Sequence, residues 1–271
     1  DEANRGRFKA EAHVMRAFFY MELVKWFGKL PVLNSTVPFD TDFSAMTRQS
    51  VYEVAKQIVA DCDAALAEST LPWRIDTDSN GGRATKALAC ALKSEAMLFA
   101  ASPLHNEGKN YWEEAYQITK ECVQQLKANG YALFATCTQP NVFGTGPAAA
   151  FRQLVDQNAD YSGSPRDKET IFQTRTGSVF VWHIGYIGSN MANTYKCGTC
   201  PTQELVDAFE TINGQPVLDL TKPYLDEKHL TPNYNKANTL YNPNDPYANR
   251  EPRFDQTVLH NGSHILWDKI G

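Results

Sequence analysis

The sequence predicts a mostly α-helical protein whose first half is a set of packed helices and whose second half is rich in loops. Two observations support this fold class. Before residue 131, apolar residues recur at steps of three and four in four long segments. After Tyr131, glycine, proline, threonine and asparagine become frequent and the helical patterns shorten. We therefore expect residues 1–130 to form a helical part and residues 131–271 to form a loop-rich part of the same domain, with short β-hairpins.

The first two helices are predicted from apolar stripes and from end signals. The first runs from about Arg7 to Phe27, and Gly28 and Pro31 then favour its end. Its predicted apolar stripe is Phe8, Ala12, Met15, Phe19, Leu23 and Phe27. The second runs from about Ser50 to Glu68 and begins with a capping-box pair, Ser50 and Glu53. Its predicted stripe is Val51, Val54, Ile58, Cys62, Ala65 and Leu66.

The next two helices are predicted over about Thr85 to Ala101 and about Tyr111 to Ala128. The pair has about the length of a tetratricopeptide unit, and Ala100 facing Trp112 and Tyr116 would suit the packing of such repeats. A plain antiparallel bundle gives the same pattern. We expect two tryptophans and three cysteines in these helical patterns to be core residues: Trp26, Trp112, Cys62, Cys90 and Cys122.

The second half of the sequence predicts short helices and hairpins between loops. Short helices are expected over Phe151–Asn158 and Pro201–Phe209. One hairpin is predicted across Thr176–Gly177, and another at the Asn213–Gly214 turn. The long, proline-containing segment from Lys222 to Arg250 is expected to be a loop of functional or structural importance.

Composition and motif content exclude several classes of function. The net charge of -5 and the lack of a basic run argue against nucleic-acid binding. The longest apolar runs are too short to span a membrane. The only CxxC, Cys197 and Cys200, has no second Cys/His pair, which favours a local disulfide or two free thiols over zinc. Because no catalytic motif occurs, we predict that the protein is not an enzyme and needs no cofactor.

The segment from Asp245 to Phe254, DPYANREPRF, is the most specific stretch of the sequence. Its two prolines exclude a regular helix, so we expect an ordered loop that is held by side chains. Two aromatics would anchor it to the core, and three charged residues would satisfy backbone carbonyls and each other. These residues are Tyr247 and Phe254, and Arg250, Glu251 and Arg253.

This loop resembles the N-P-Y-x-N-R-D-P-R-F segment of SusD/RagB-like proteins, the surface nutrient-binding lipoproteins of Bacteroidetes. Glu251 stands where the family more often has aspartate. Four further segments resemble family landmarks in the same order: Ala10–Leu33, Arg48–Pro72, Gly82–Asn106 and Pro201–Val217. The family's lipidated N-terminal cysteine and its closing helices have no counterpart here, so we interpret the sequence as a fragment lacking both termini.

The resemblance implies a SusD-like, tetratricopeptide-type helical scaffold and a function without chemistry. It implies an outer-membrane lipoprotein that faces the exterior, binds an oligo- or polysaccharide and delivers it to a SusC-type TonB-dependent transporter. Attachment to the membrane would use an N-terminal lipid anchor absent from this sequence. Two alternatives stay open: a peptide-binding, RagB-type member of the family, and a scaffold that acts only through protein contacts.

Candidate ligand-binding residues follow from the chemistry of sugars. Aromatic planes stack on the apolar faces of sugar rings, and polar side chains bind the hydroxyl groups around the edge. The glycine-broken stretch from Val179 to Tyr195 offers Trp182, His183, Tyr186, Asn190, Asn193 and Tyr195. Trp73 and Arg74 follow Pro72 in a polar loop between two helices. The structural alternatives are a buried strand for Trp182 and a cap on the helix pair for Trp73.

Overall fold

The computed structural model of the chain describes residues 2–75, 82–157, 168–172 and 200–263. These residues belong to two compact units. The first unit contains the described residues of Asp1–Leu133 and Ala159–Arg175, and the second contains those of Phe134–Asn158 and Thr176–Gly271. Residues 168–172 belong to the first unit, where the ring of Phe172 lies 6.2 Å from that of Phe18.

Four helices build the first unit, as the sequence predicts. They are α1 (Glu2–Phe27), α2 (Val51–Ala67), α3 (Lys86–Ala101) and α4 (Trp112–Ala128). Each helix packs against the next one along the chain, and α1 also contacts α3. A single 3-10 turn, Phe43–Ala45, lies between α1 and α2. None of the helices in the described ranges is both long enough and apolar enough to cross a membrane.

The helix ends form where the local sequence signals place them. Ser50 accepts a hydrogen bond from the Glu53 N–H at 3.2 Å, and the Glu53 carboxylate accepts from the Ser50 N–H at 2.8 Å. This is the predicted capping box of α2. The Thr85 side chain caps α3 by accepting a hydrogen bond from the Leu88 N–H at 3.2 Å. Gly28 ends α1 with φ +66°, a conformation that glycine adopts without steric cost.

The core of the first unit confirms the predicted stripe of α2 and contradicts that of α1. Val51, Val54, Ile58, Cys62 and Ala65 are all buried. On α1 the buried face is instead Ala10, Val14, Ala17, Met21 and Val24. The predicted large residues are exposed: Phe8 by 54 %, Phe19 by 59 % and Phe27 by 67 %. Small and medium side chains on α1 suit the close approach of α2 and α3, whose own contact residues include many alanines.

Both tryptophans that we expect in the core are exposed, Trp26 by 81 % and Trp112 by 48 %. Tyr116 is also about half exposed, so neither aromatic residue that we expect to pack on Ala100 is a buried core residue. The aromatic contact forms one residue earlier, where Tyr111 stacks on Tyr52 of α2 with ring centroids 3.9 Å apart. The three helical cysteines are buried thiols, as predicted.

A buried carboxylate links α1 to α2. Asp61 is 2 % exposed and accepts hydrogen bonds from His13 Nδ1 at 2.8 Å and from Arg16 Nε at 2.8 Å. Gln57, one turn earlier on α2, donates at 3.3 Å. Burial opposes ionisation, but these donors outweigh it and hold the pKa of Asp61 below its usual range.

Short helices and long loops form the second unit. The helices are α5 (Pro140–Phe143), α6 (Pro147–Gln157), α7 (Gln203–Ala208) and α8 (Phe254–Thr257). Helices α6 and α7 confirm the two short helices that the sequence predicts. Val206, Phe254 and Val258 form a small buried cluster, with Phe209 packed against it.

The described residues contain isolated β-bridges but no strand. The predicted turn at Asn213–Gly214 is present. Gly214 has φ +72°, and its N–H donates to the Thr211 carbonyl at 2.8 Å. The predicted ladder across it does not form, since Thr211 bridges Arg250 and Leu218 bridges Tyr234. The hairpin predicted across Thr176–Gly177 lies outside the described residues.

Candidate functional site

One buried arginine holds the DPYANREPRF loop from inside the second unit. Arg250 is 5 % exposed, and its guanidinium donates to the carbonyls of Pro246 at 3.0 Å and Phe209 at 2.8 Å. It also donates to the carbonyl of Val206 and lies 4.6 Å from the ring centre of Phe254. Burial away from water lowers the pKa of Arg250. This arrangement confirms the prediction that arginine side chains of the loop satisfy backbone carbonyls.

Backbone hydrogen bonds fix the same loop against the segment that follows α7. The Ile212 N–H donates to the Asn249 carbonyl at 2.9 Å, and the Glu251 N–H donates to the Glu210 carbonyl at 3.0 Å. Asn249 adopts φ +58°, a left-handed conformation that asparagine tolerates better than most residues. Arg253, in contrast, lies at the surface and pairs with Glu251 at 2.7 Å.

The outer side of this loop borders a polar cleft with a volume of about 570 Å³. Four loop residues line it, namely Asp245, Tyr247, Ala248 and Asn249. Further lining comes from α8 and the residues after it: Asp255, Gln256, His260 and Asn261. Arg152 of α6 completes the lining from the helix that packs on α8. All of these residues belong to the second unit.

Aromatic rings form part of one wall of the cleft. Tyr247 is 39 % exposed and stacks on the imidazole of His260 with ring centroids 4.5 Å apart. The buried Phe254 ring lies 5.5 Å from that of His260. His260 is further held by Asp255, whose Oδ1 lies 3.0 Å from Nε2, and by the Asn261 carbonyl, 2.9 Å from Nδ1. The imidazole is therefore fixed by contacts with two aromatic rings and by polar contacts at both nitrogens.

Two acceptor groups of the cleft lack a protein partner within the described ranges. The Oε1 atom of Gln256 is buried and has no hydrogen bond. The carboxylate of Asp245 makes no hydrogen bond or ion pair there, although its backbone N–H donates to the Asn242 carbonyl at 2.9 Å. The exposed Asp245 carboxylate is open to hydrogen-bond donors of a ligand or of water.

A second concavity of similar volume, about 570 Å³, lies on the first unit and is apolar. It is lined mainly by the exposed face of α1 and the residues after it: Met15, Phe19, Tyr20, Leu23, Leu30 and Leu33. Sugar hydroxyls need hydrogen-bonding partners. The polar cleft of the second unit is therefore the better candidate for a site that binds such a ligand.

The residues that the sequence analysis selects as ligand contacts are not brought together in the described part of the chain. Trp73 and Arg74 are half-buried in the first unit, where Tyr131 donates to the Trp73 carbonyl at 2.9 Å. The Arg74 guanidinium lies 5.4 Å from the ring centre of Tyr131. Six other candidates lie outside the described residues: Trp182, His183, Tyr186, Asn190, Asn193 and Tyr195. Cys197 of the CxxC lies outside them as well.

The sequence analysis did not predict the cleft, although it selected the DPYANREPRF loop that lines part of it. Tyr247 carried a signal, as an aromatic between two prolines, but we assign it above only as an anchor. Asp255 and His260 carried no recognisable motif. Within residues 2–75, 82–157, 168–172 and 200–263, no group of three or more His, Cys, Asp or Glu side chains could hold a metal ion.

Two family models match the chain. The model described as "SusD family" matches residues 154–268, and the one described as "Starch-binding associating with outer membrane" matches residues 1–98. No curated protein matches the sequence. Both matches agree with the resemblance that the motifs indicate.

Solved structures share the fold. A SusD-like protein from Bacteroides fragilis is 25 % identical, with a TM-score of 0.64 over 94 % of this chain and 43 % of its own. A SusD-like carbohydrate binding protein from the same organism is 18 % identical, with a TM-score of 0.61 over 98 % of this chain and 42 % of its own. The chain therefore spans less than half the length of either structure. The predicted mostly helical, SusD-like fold is confirmed.

Proposed function

Because the chain belongs to the SusD/RagB-like family, we propose that it binds an extracellular glycan without altering it. The bound oligo- or polysaccharide would be held at the outer membrane, on the exterior face, and passed to a SusC-type TonB-dependent transporter. An N-terminal lipid anchor would attach the full-length protein to the membrane. The names of a matching family and of a similar structure support the ligand class and the location, since they include starch binding, carbohydrate binding and the outer membrane.

The observation that carries this proposal is the combination of an exposed tyrosine with planar polar side chains in one cleft. Tyr247 offers an aromatic surface, and Asp245 and Asn249 flank it on the same loop. Carboxylate and amide groups are well suited to the hydroxyl groups of a sugar. The cleft volume of about 570 Å³ lies within the range of roughly 300–1,000 Å³ typical of small-molecule sites.

Binding without hydrolysis fits the two carboxylates of the cleft. A glycosidase needs one carboxyl group that stays protonated, which usually requires apolar surroundings. The Asp255 side chain is 58 % exposed and hydrogen-bonded to His260, so it lies in a solvated, polar environment. Incubation of the protein with the glycan it binds should therefore release no products. Appearance of shorter sugars would overturn the non-catalytic assignment.

Calorimetric titration against panels of polysaccharides, oligosaccharides and peptides tests the proposal. We expect heat of binding with glycans and none with peptides. Tyr247→Ala should weaken glycan affinity by roughly three- to tenfold, the usual worth of an aromatic contact. Tyr116→Ala, at an exposed tyrosine of α4, is the matched control and should leave affinity unchanged.

Other outcomes of the same titration favour the alternatives. Heat with peptides alone would replace the glycan by a peptide ligand, as in a RagB-type protein. No heat with either panel would favour a scaffold that acts through protein contacts. Delivery to a transporter is tested separately, by asking whether the tagged full-length protein co-purifies with a TonB-dependent transporter from solubilised outer membranes.

A further inference from the structure

We infer that the polar cleft selects neutral, hydroxyl-rich sugars over sugars that carry a carboxylate, and that Asp245 sets this preference. The inference rests on the proposed function, because it assumes that the cleft binds a glycan. Among the groups that line the cleft, the exposed Asp245 carboxylate is a charged acceptor with no hydrogen-bond or ion-pair partner in the described ranges, and the Oε1 of Gln256 is a neutral one.

The ligand that satisfies these groups must donate hydrogen bonds. A hydroxyl group both donates and accepts, so it can pair with a carboxylate and with an amide oxygen. A sugar carboxylate only accepts when ionised, and beside Asp245 it would meet a like charge. Like-charge contacts are a common means of rejecting a wrong ligand.

The position of the Asp245 charge is fixed by the backbone around it. Its N–H closes a turn onto the Asn242 carbonyl, and its carbonyl accepts from the Ala248 N–H at 3.3 Å. The next residue, Pro246, is held through its carbonyl by the buried Arg250. Because the loop is fixed on both sides of Asp245, it has little freedom to move this charge away from an anionic ligand.

An arginine and a histidine also line the cleft, and the arginine defines the rival outcome. His260 already faces Asp255 with one nitrogen and the Asn261 carbonyl with the other, so both are engaged. Arg152 also interacts with other groups of the chain. If Arg152 instead dominated recognition, the cleft would prefer acidic sugars, which is the opposite of our inference.

The test compares each neutral oligosaccharide that binds with its C6-oxidised counterpart, which differs only in carrying a carboxylate on each oxidised ring. We expect the wild-type protein to bind the neutral form at least about tenfold more tightly at low salt. Added salt should narrow the difference, since exposed charges are screened. Asp245→Asn should fold normally, because the carboxylate makes no hydrogen bond or ion pair with the described residues. The substitution should remove most of the discrimination.

Glu227→Gln is the matched control, since it removes the same charge from an exposed loop residue of the same unit that does not line the cleft. It should leave the affinity ratio unchanged. Equal affinity for both forms in the wild-type protein, or tighter binding of the oxidised form, would overturn the inference while leaving glycan binding intact. Loss of discrimination in Glu227→Gln as well would show that net charge, and not Asp245, is responsible. Failure to bind any glycan would overturn the proposed function together with the inference.

Discussion

Alanine substitutions of the two arginines of the DPYANREPRF loop should lower stability by very different amounts. Arg250 is buried and donates to three backbone carbonyls, whereas Arg253 is largely exposed and pairs with Glu251 two residues away. Arg250→Ala leaves those carbonyls without their donor and removes the contact with Phe254. Arg253→Ala removes a surface ion pair, which rarely contributes measurable stability.

The loss of stability expected for Arg250→Ala follows from the hydrogen bonds that the side chain makes. Hydrogen bonds to a charged donor are worth about 1.5–3 kcal/mol each, but they are not additive, and Arg250 itself loses solvation when buried. We expect Arg250→Ala to destabilise the second unit by about 3 kcal/mol. Arg250→Lys keeps the charge without the planar fork, so it should recover part of this and cost about 1.5 kcal/mol.

Amide hydrogen exchange measures this loss of stability at individual residues. The N–H groups of Ile212 and Glu251 are hydrogen-bonded across the loop that Arg250 holds. A loss of about 3 kcal/mol should speed their exchange by roughly a hundredfold in Arg250→Ala. Arg253→Ala should leave their exchange rates unchanged. If the two alanine variants behave alike, or if Arg250→Ala exchanges like the wild type, the assignment of Arg250 as the internal support of the loop is refuted.

Two further predictions concern the first unit and are checked by urea unfolding followed by circular dichroism. Ile58→Ala, at a fully buried position, should cost about 3 kcal/mol, whereas Phe19→Ala on the exposed face of α1 should cost less than about 1 kcal/mol; equal costs would mean that the buried face is assigned wrongly. Asp61→Asn should cost about 2 kcal/mol near pH 7. Folding lowers the pKa of Asp61, so its contribution is complete above about pH 4 and is lost as the pH falls through the folded value. The wild type and the variant should therefore converge in acid, and a constant difference would contradict the ion-pair account.

The first unit shows which parts of a helical fold the sequence can predict. Helix limits depend on local chemistry, and the Ser50–Glu53 capping box and Gly28 place them correctly. The buried face of α1 depends on the partner helices. Apolar residues occupy two faces of α1, and periodicity alone favours the face with the larger side chains. The neighbours α2 and α3 select the face with Ala10, Val14 and Ala17, because small side chains allow close packing.

The candidate site was predictable only in part for a related reason. An ordered loop held by arginine follows from the two prolines and the charged residues of the motif. The cleft exists because α8 and the residues after it fold back beside that loop. Asp255 and His260 therefore meet Tyr247 through tertiary structure, and no local pattern marks them. The predicted contacts Trp73 and Arg74 lie in the other unit and stay predictions.

The burial pattern of the motif explains how one loop can serve both structure and recognition. Asp245, Tyr247 and Asn249 are exposed in a segment of turns, while Arg250 and Phe254 are buried. Asn249 reverses the local direction of the chain in a left-handed conformation, and its side chain donates to the Leu240 carbonyl at 3.2 Å. A loop that is ordered before the ligand arrives loses little conformational entropy on binding, which matters for weak, hydroxyl-mediated contacts. Substitution of Arg250 should therefore weaken ligand affinity without touching the ligand, whereas substitution of Arg253 should not.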